Sequence, residues 1–356
     1  MRVRFAGRCG FWIFCFLRAS LAWAAQQTDA VGAGEAAHLV KLAVVVTDKS
    51  GKPVQNLEQQ GFTVYDNGKP AKIVSFRAPP TAAAPAAKEP PAQIVIVIDE
   101  VNTGYEKVAY ADEGVRQFLL QNNGQLAHHV SLAMFSDSGL QMQKAPLTDG
   151  KLMADALQQR GHAVRTIGRG ALGGDQDRMR MSLDAMEALI REVQKISGRK
   201  LVIWVSPGWP LLSGPQVTLT TDQRQRVFNS VMQFSGELRQ SGMTLYSIDP
   251  LGLSDAGDGR TTYYQNFTKG LLKPANADLG DVGLQVLAEQ SGGQVIFGNT
   301  AIASSINRCI SDLDGTYLIS IEGAPAERAN EFRSLAVKVA APGLKVRTRN
   351  GYYAQP

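Results

Sequence analysis

Residues 94–99 read IVIVID, apolar on both faces of an extended chain until the closing aspartate. A β-branched run without polar alternation predicts a strand inside a parallel sheet, covered by helices on both sides. Comparable runs recur at 130–135, 201–206, 243–248 and 294–297. Between them, apolar residues return every three or four positions. Met179, Leu183, Met186, Ile190 and Val193 share one helical face over 177–195, and Val227, Val231, Phe234 and Leu238 share another over 222–240. Further helices are expected near 107–121, 150–159 and 281–290. Strands alternating with amphipathic helices predict right-handed crossovers and an α/β fold class with a doubly wound, mostly parallel sheet. Residues 139–144 follow the second strand after a short turn, which suggests an antiparallel edge.

The two ends of the chain are written differently. Short strand patterns at 41–48, 62–65 and 72–76 are separated by Ser50-Gly51-Lys52-Pro53 and Asp66-Asn67-Gly68-Lys69, which carry turn chemistry. Strand patterns return at 316–321, 332–340, 344–349 and 351–353. The expected organisation is an N-terminal β unit at 38–78, a Pro/Ala-rich linker at 79–92, an α/β domain at 93–313, and a C-terminal β segment at 314–356. Three short strands bury little alone, so the N- and C-terminal flanks are expected to form one β-sandwich.

Residues 1–24 resemble a secretory signal: Arg2, Arg4 and Arg8, an apolar stretch from Phe11 to Trp23, and a small-x-small site at Ala22-Trp23-Ala24. The whole chain has 37 basic and 32 acidic residues, but the signal holds four arginines and no acid, so 33 basic residues would remain. A mature charge near neutrality argues against a nucleic-acid partner. No later segment reaches the length of a membrane span. Of the three cysteines, Cys9 and Cys15 lie in the signal, and Cys309 falls in a helical apolar stripe as a small buried hydrophobe. The expected location is the periplasm or the extracellular space.

In an open α/β sheet, ligands bind beyond the carboxyl ends of the strands, which draws attention to Asp99, Asn102 and Thr103. An aspartate ending a strand also has a plain use, capping the next helix or fixing a turn through backbone bonds. Ser206 ends another strand, but Trp204 stands where a nucleophile elbow needs its first glycine. Gly168-Arg169-Gly170-Ala171-Leu172-Gly173 satisfies the dinucleotide spacing but follows a helical segment rather than a strand, and reads as a loop. The histidines, His38, His128, His129 and His162, form no H-E-x-x-H pair. No catalytic residue is assigned. Trp209, Leu211 and Leu212 form an apolar loop that either anchors a partner or folds back as core. Tyr263, Tyr264 and Phe267, in the long segment 254–277, extend the same candidate surface.

Six ordered segments, TDKSGKPVQNLEQQGFTVYDNGKPAKIVSF (47–76), IVIVIDEVNT (94–103), GRKLVIWVSPGWP (198–210), GMTLYSIDPLGL (242–253), LAEQSGGQVIF (287–297) and VRTRNGYYA (346–354), together resemble the bacterial VWFA-related domain proteins, an exported family frequent in acidobacteria. That resemblance implies a von Willebrand A (Rossmann-like) domain over 93–313. It also brings in a metal-ion-dependent adhesion site, where Mg²⁺ is held by an Asp-x-Ser-x-Ser turn, a threonine and a second aspartate. Asp99 matches the first aspartate, Thr103 replaces the last hydroxyl, and Thr166 stands for the second-loop threonine. Val101 replaces the middle serine and Pro207 the third-loop aspartate, so the site reads as degenerate, with Glu100, Asn102 or Asp249 as substitute donors. The expected function is a non-enzymatic adhesion or interaction module binding another protein or a surface polymer without a required cofactor. The alternatives are a Mg²⁺-dependent adhesin using Asp99 and Thr103, and a cell-envelope hydrolase.

Overall fold

A computed structural model describes residues 39–80, 90–161, 172–210, 218–251, 260–297 and 301–355. The expected signal at 1–24 and most of the linker, residues 81–89, lie outside the described residues.

The chain opens with β1 (Leu39–Thr47), β2 (Phe62–Asp66), β3 (Lys69–Ala71) and β4 (Ile73–Arg77). It continues with β5 (Gln93–Asp99), α1 (Tyr105–Leu119), β6 (Gln125–Ser136), β7 (Gly139–Met142), β8 (Leu147–Asp149) and α2 (Gly150–Gln159). Then come α3 (Leu172–Gln194), β9 (Lys200–Val205), α4 (Thr221–Gln240), β10 (Met243–Ile248), α5 (Arg260–Tyr263), α6 (Leu284–Gln290), β11 (Val295–Ile296) and α7 (Ile302–Ser311). The last strands are β12 (Thr316–Glu322), β13 (Glu331–Val339), β14 (Lys345–Arg347) and β15 (Gly351–Ala354).

The largest sheet runs β11-β10-β9-β5-β6-β7, with β8 also on β6. Its central strands are apolar on both faces because both faces are covered. Val95, Val97, Val202 and Trp204 pack with Met186, Ile190, Val231 and Phe234 of α3 and α4. Ile94, Ile96, Ile98, Leu201 and Ile203 point the other way, toward Val115, Met153 and Ile306 of α1, α2 and α7. The strand period of two thus divides one sequence run between two cores.

The fold class expected from the sequence requires correction. The large sheet is mixed, because β7 and β8 both pair antiparallel with β6. Eight further strands form two antiparallel sheets, β14-β1-β12-β4 and β15-β13-β2-β3. Antiparallel pairings therefore outnumber parallel ones, and the chain is a β-rich mixed α/β fold rather than a doubly wound, mostly parallel one. β1 pairs with β12 and β2 with β13 across most of the chain, pairings that no local pattern states, whereas the turn Asp66-Asn67-Gly68-Lys69 joins β2 to β3 directly. Asn67 and Gly68 both take positive φ there, 51° and 79°.

The two antiparallel sheets share one hydrophobic cluster, with Val44, Val46, Tyr317 and Ile319 from one and Phe62, Val64, Leu335 and Tyr352 from the other. Inside it Arg333 donates to Asp66 Oδ1 at 2.9 Å, and the Tyr352 hydroxyl reaches Asp66 Oδ2 at 3.1 Å. Among the described residues no helix is long and apolar enough to cross a membrane.

Candidate functional site

Asp99 is the last residue of β5, set between Phe135 of β6 and the end of β9, and is 1% exposed. Its carboxylate is surrounded by donors from its own chain. Oδ1 accepts from the Asn102 backbone N–H at 2.8 Å. Oδ2 accepts from Asn102 Nδ2 at 2.9 Å, the Ser206 hydroxyl at 2.8 Å and the Trp204 indole N–H at 3.2 Å. One donor thus meets Oδ1 and three converge on Oδ2. Burial pushes the Asp99 carboxyl above its ordinary range, and the hydrogen bonds from Asn102, Ser206 and Trp204 pull it back.

A second tier holds the donors. Asn102 Nδ2 also donates to Ser182 Oγ at 2.9 Å, and Ser182 donates to the Arg178 carbonyl at 2.8 Å, which ties the strand end to α3. Ser206 is fully buried and its Oγ accepts from the Gly208 backbone N–H at 3.1 Å. Gly208 turns with φ 104°, and a Cβ there would lie 2.0 Å from Gln285 Nε2, so this turn requires glycine. Gln285 Nε2 donates to the Pro207 carbonyl at 3.1 Å.

The residues do not fit a hard cation, which needs several free oxygens in octahedral geometry. Asp99 is 1% exposed and already accepts four hydrogen bonds, Val101 is fully buried without an oxygen to give, and Pro207 presents only a carbonyl already bonded to Gln285. Glu100 is held by Arg160, which also grips Asp112 with two bonds of 2.8 Å. Asp249 Oδ1 accepts from the Leu251 backbone N–H at 2.8 Å, fixing the turn after β10. Thr103 is 1% exposed, and Thr166 lies outside the described residues. Among the described residues no three His, Cys, Asp or Glu side chains are grouped to hold a metal.

Among the described residues, Ser206 is not set beside a histidine. The Ser206 hydroxyl proton points at Asp99 Oδ2. His129 pairs with Gln93, the first residue of β5, so both strand histidines sit at the opposite end of the sheet from Ser206. Cys309 is buried, and desolvation drives its thiol far above the ordinary value, which leaves it unreactive.

Of the apolar-loop candidate, the structure describes Trp209, and it takes the core alternative. Trp209 is 3% exposed and stacks edge-on against Trp204, with ring centroids 5.4 Å apart. It is core because the Gly208 turn folds the chain back onto the sheet. Leu211 and Leu212 lie outside the described residues. Tyr264 is 5% exposed and donates to Glu289 at 3.3 Å, so it is a packing residue, while Tyr263 is half-buried against Phe267. The segment that holds them carries α5 and short 3-10 turns at Tyr264–Phe267 and Pro274–Asn276 rather than featureless loop. Tyr105, the first residue of α1 and two positions after Thr103, is 64% exposed.

No family model and no curated protein matches the chain. Solved structures similar to it include the pilus adhesin SpaC from Lactobacillus rhamnosus GG, at 10% identity and a TM-score of 0.36 over 85% of this chain and 49% of that one. The PilB minor pilin from Streptococcus sanguinis is similar at 10% identity and a TM-score of 0.35, over 64% of this chain and 63% of that one. The human COPII-coat protein Sec24c is similar at 11% identity and a TM-score of 0.34, over 75% of this chain and 44% of that one. The chain spans less than two thirds of each of these structures.

Proposed function

We propose that the protein is an exported, non-enzymatic interaction module of the VWFA-related kind, which contacts another protein or a surface polymer at the carboxyl ends of its large sheet without a bound cation. The resemblance of the six ordered segments supports the family, and the buried, hydrogen-bonded Asp99 carboxylate supports a contact that does not run through metal. The observation that carries the reading is Tyr105: an amphipathic ring, 64% exposed, on the rim of a strand end whose polar centre is closed. Aromatic residues of this kind are enriched at the centres of protein interfaces.

The test is sedimentation of the purified protein with envelope preparations of its source organism, with and without EDTA. Binding is expected to saturate, to ignore EDTA, and to weaken about tenfold in Tyr105→Ala, the ordinary weight of an interface aromatic. Loss of binding in EDTA, or an unaltered affinity in Tyr105→Ala, contradicts the reading.

A further inference from the structure

At the other end of the large sheet, a cavity of about 740 Å³ opens between the starts of β9 and β10 and the sheet containing β1 and β12. That volume is in the range of small-molecule sites. Its lining is strongly one-signed: Lys41, Arg77, Arg199, Lys200, Arg239 and Arg349 face it, against a single lining carboxylate among the described residues, Asp312. Asp312 is already taken, since Arg347 and the Tyr246 hydroxyl both donate to it.

Arg349 is the unusual member. It is 8% exposed, and no carboxylate pairs with it among the described residues; its charged neighbour is another cation, Arg239. Desolvation and that like charge pull its guanidinium down to about 10. A buried guanidinium normally has an acid partner, because an unpaired buried charge is strongly disfavoured. Lys200 is 6% exposed at the start of β9, and its Nζ spends one bond of 2.9 Å on the Ser241 carbonyl, with two donors left. That bond also occupies a carbonyl at the C-terminal end of α4, where an anion would otherwise be repelled. Leu318, Ala43 and Val45, on one face of the facing sheet, add an apolar wall.

We propose that this cavity binds a small organic anion carrying a tetrahedral oxyanion, phosphate or sulfate, with the anionic group held by Arg349, Arg239 and Lys200 and the organic body laid against Leu318 and Val45. Planar guanidinium forks suit bidentate contact with such oxygens, and two of them beside an ammonium match a doubly charged group. The cavity lies at the opposite end of the strands from Asp99 and Tyr105, so this inference stands or falls apart from the interaction reading.

The experiment is calorimetric titration of the full chain with inorganic phosphate and with sulfate, paired with thermal melting in each. Saturable binding of either, with a raised melting temperature, is expected. Tighter binding of phosphate assigns a phosphate ligand and tighter binding of sulfate a sulfo group. Arg349→Met is expected to weaken binding at least tenfold while raising the melting temperature of the ligand-free protein, because it removes an uncompensated charge. Should Arg349→Met fail to fold, half-buried Arg239→Met gives the same reading of affinity. No saturable binding of either anion, or unchanged affinity in a folded variant of Arg349 or Arg239, overturns the inference.

Discussion

Ser206 donates its hydroxyl proton to Asp99 Oδ2 at 2.8 Å, joining the ends of two adjacent parallel strands. The bond gives the carboxylate a structural role, which Asn102 and Trp204 share by donating to it as well. Ser206→Ala is expected to destabilise the fold by about 1–3 kcal/mol, the cost of a buried carboxylate losing one partner. Urea denaturation measures it, and a variant as stable as the parent contradicts the structural role.

Trp209 and Tyr105 are expected to separate core from surface. Trp209→Ala empties a site against Trp204 and is expected to cost about 3–5 kcal/mol. Tyr105→Ala, at an exposed position, is expected to change stability by about 0.5 kcal/mol or less while affecting partner binding. Equal destabilisation in both variants contradicts this assignment.

Much of the framework was legible because it is local. The all-apolar run ending at Asp99 marked a covered strand, and the strand observed there is Gln93–Asp99. The stripe of Val227, Val231, Phe234 and Leu238 likewise falls in α4, whose four members are all buried. The fold class was misread because sheet composition depends on which strands pair. A strand pattern does not state its partner, and β1 pairs with β12 across most of the chain. The site was legible only in part for the same reason. The place of Asp99 at a strand end could be read, but the donors that close the carboxylate, Trp204 and Ser206, come from about a hundred residues away, and their spacing carries no signal. The side on which Trp209 falls was undecidable until the Gly208 turn was known.

Asp281 gives the protein a pH dependence of definite sign. Burial raises its carboxyl to about 7, with the Asp278 backbone N–H donating to Oδ2 at 2.8 Å. A raised pKa means the folded state holds the proton more tightly than the unfolded one. The contribution is therefore fully present below about pH 4 and is lost as pH rises through about 7. Asp281→Asn keeps an acceptor for that N–H without the charge. It is expected to gain a few kcal/mol over the parent at pH 8, a tenfold difference in proton affinity being worth about 1.4 kcal/mol, and to match it near pH 4. Thermal melts of both proteins across that range check it, and a difference that does not vary with pH contradicts it.

The buried pair of Asp66 and Arg333 is expected to matter more than the surface pairs along α3. Both side chains are largely enclosed, at 5% and 11% exposure, and Arg333→Met leaves Asp66 with the Tyr352 hydroxyl as its remaining strong donor. The expected cost is about 3–5 kcal/mol, against at most about 1 kcal/mol for Arg180→Met, whose carboxylate contacts are exposed. Chemical denaturation of the two variants ranks them.

The most direct test of the closed strand end is calorimetric titration of the protein with Mg²⁺ and Mn²⁺ at millimolar concentration, beside Asp99→Ala. The account expects no saturable binding in the parent and a loss of stability in the variant. Saturable binding in the parent that disappears in a folded Asp99→Ala would contradict it and make Asp99 a metal ligand.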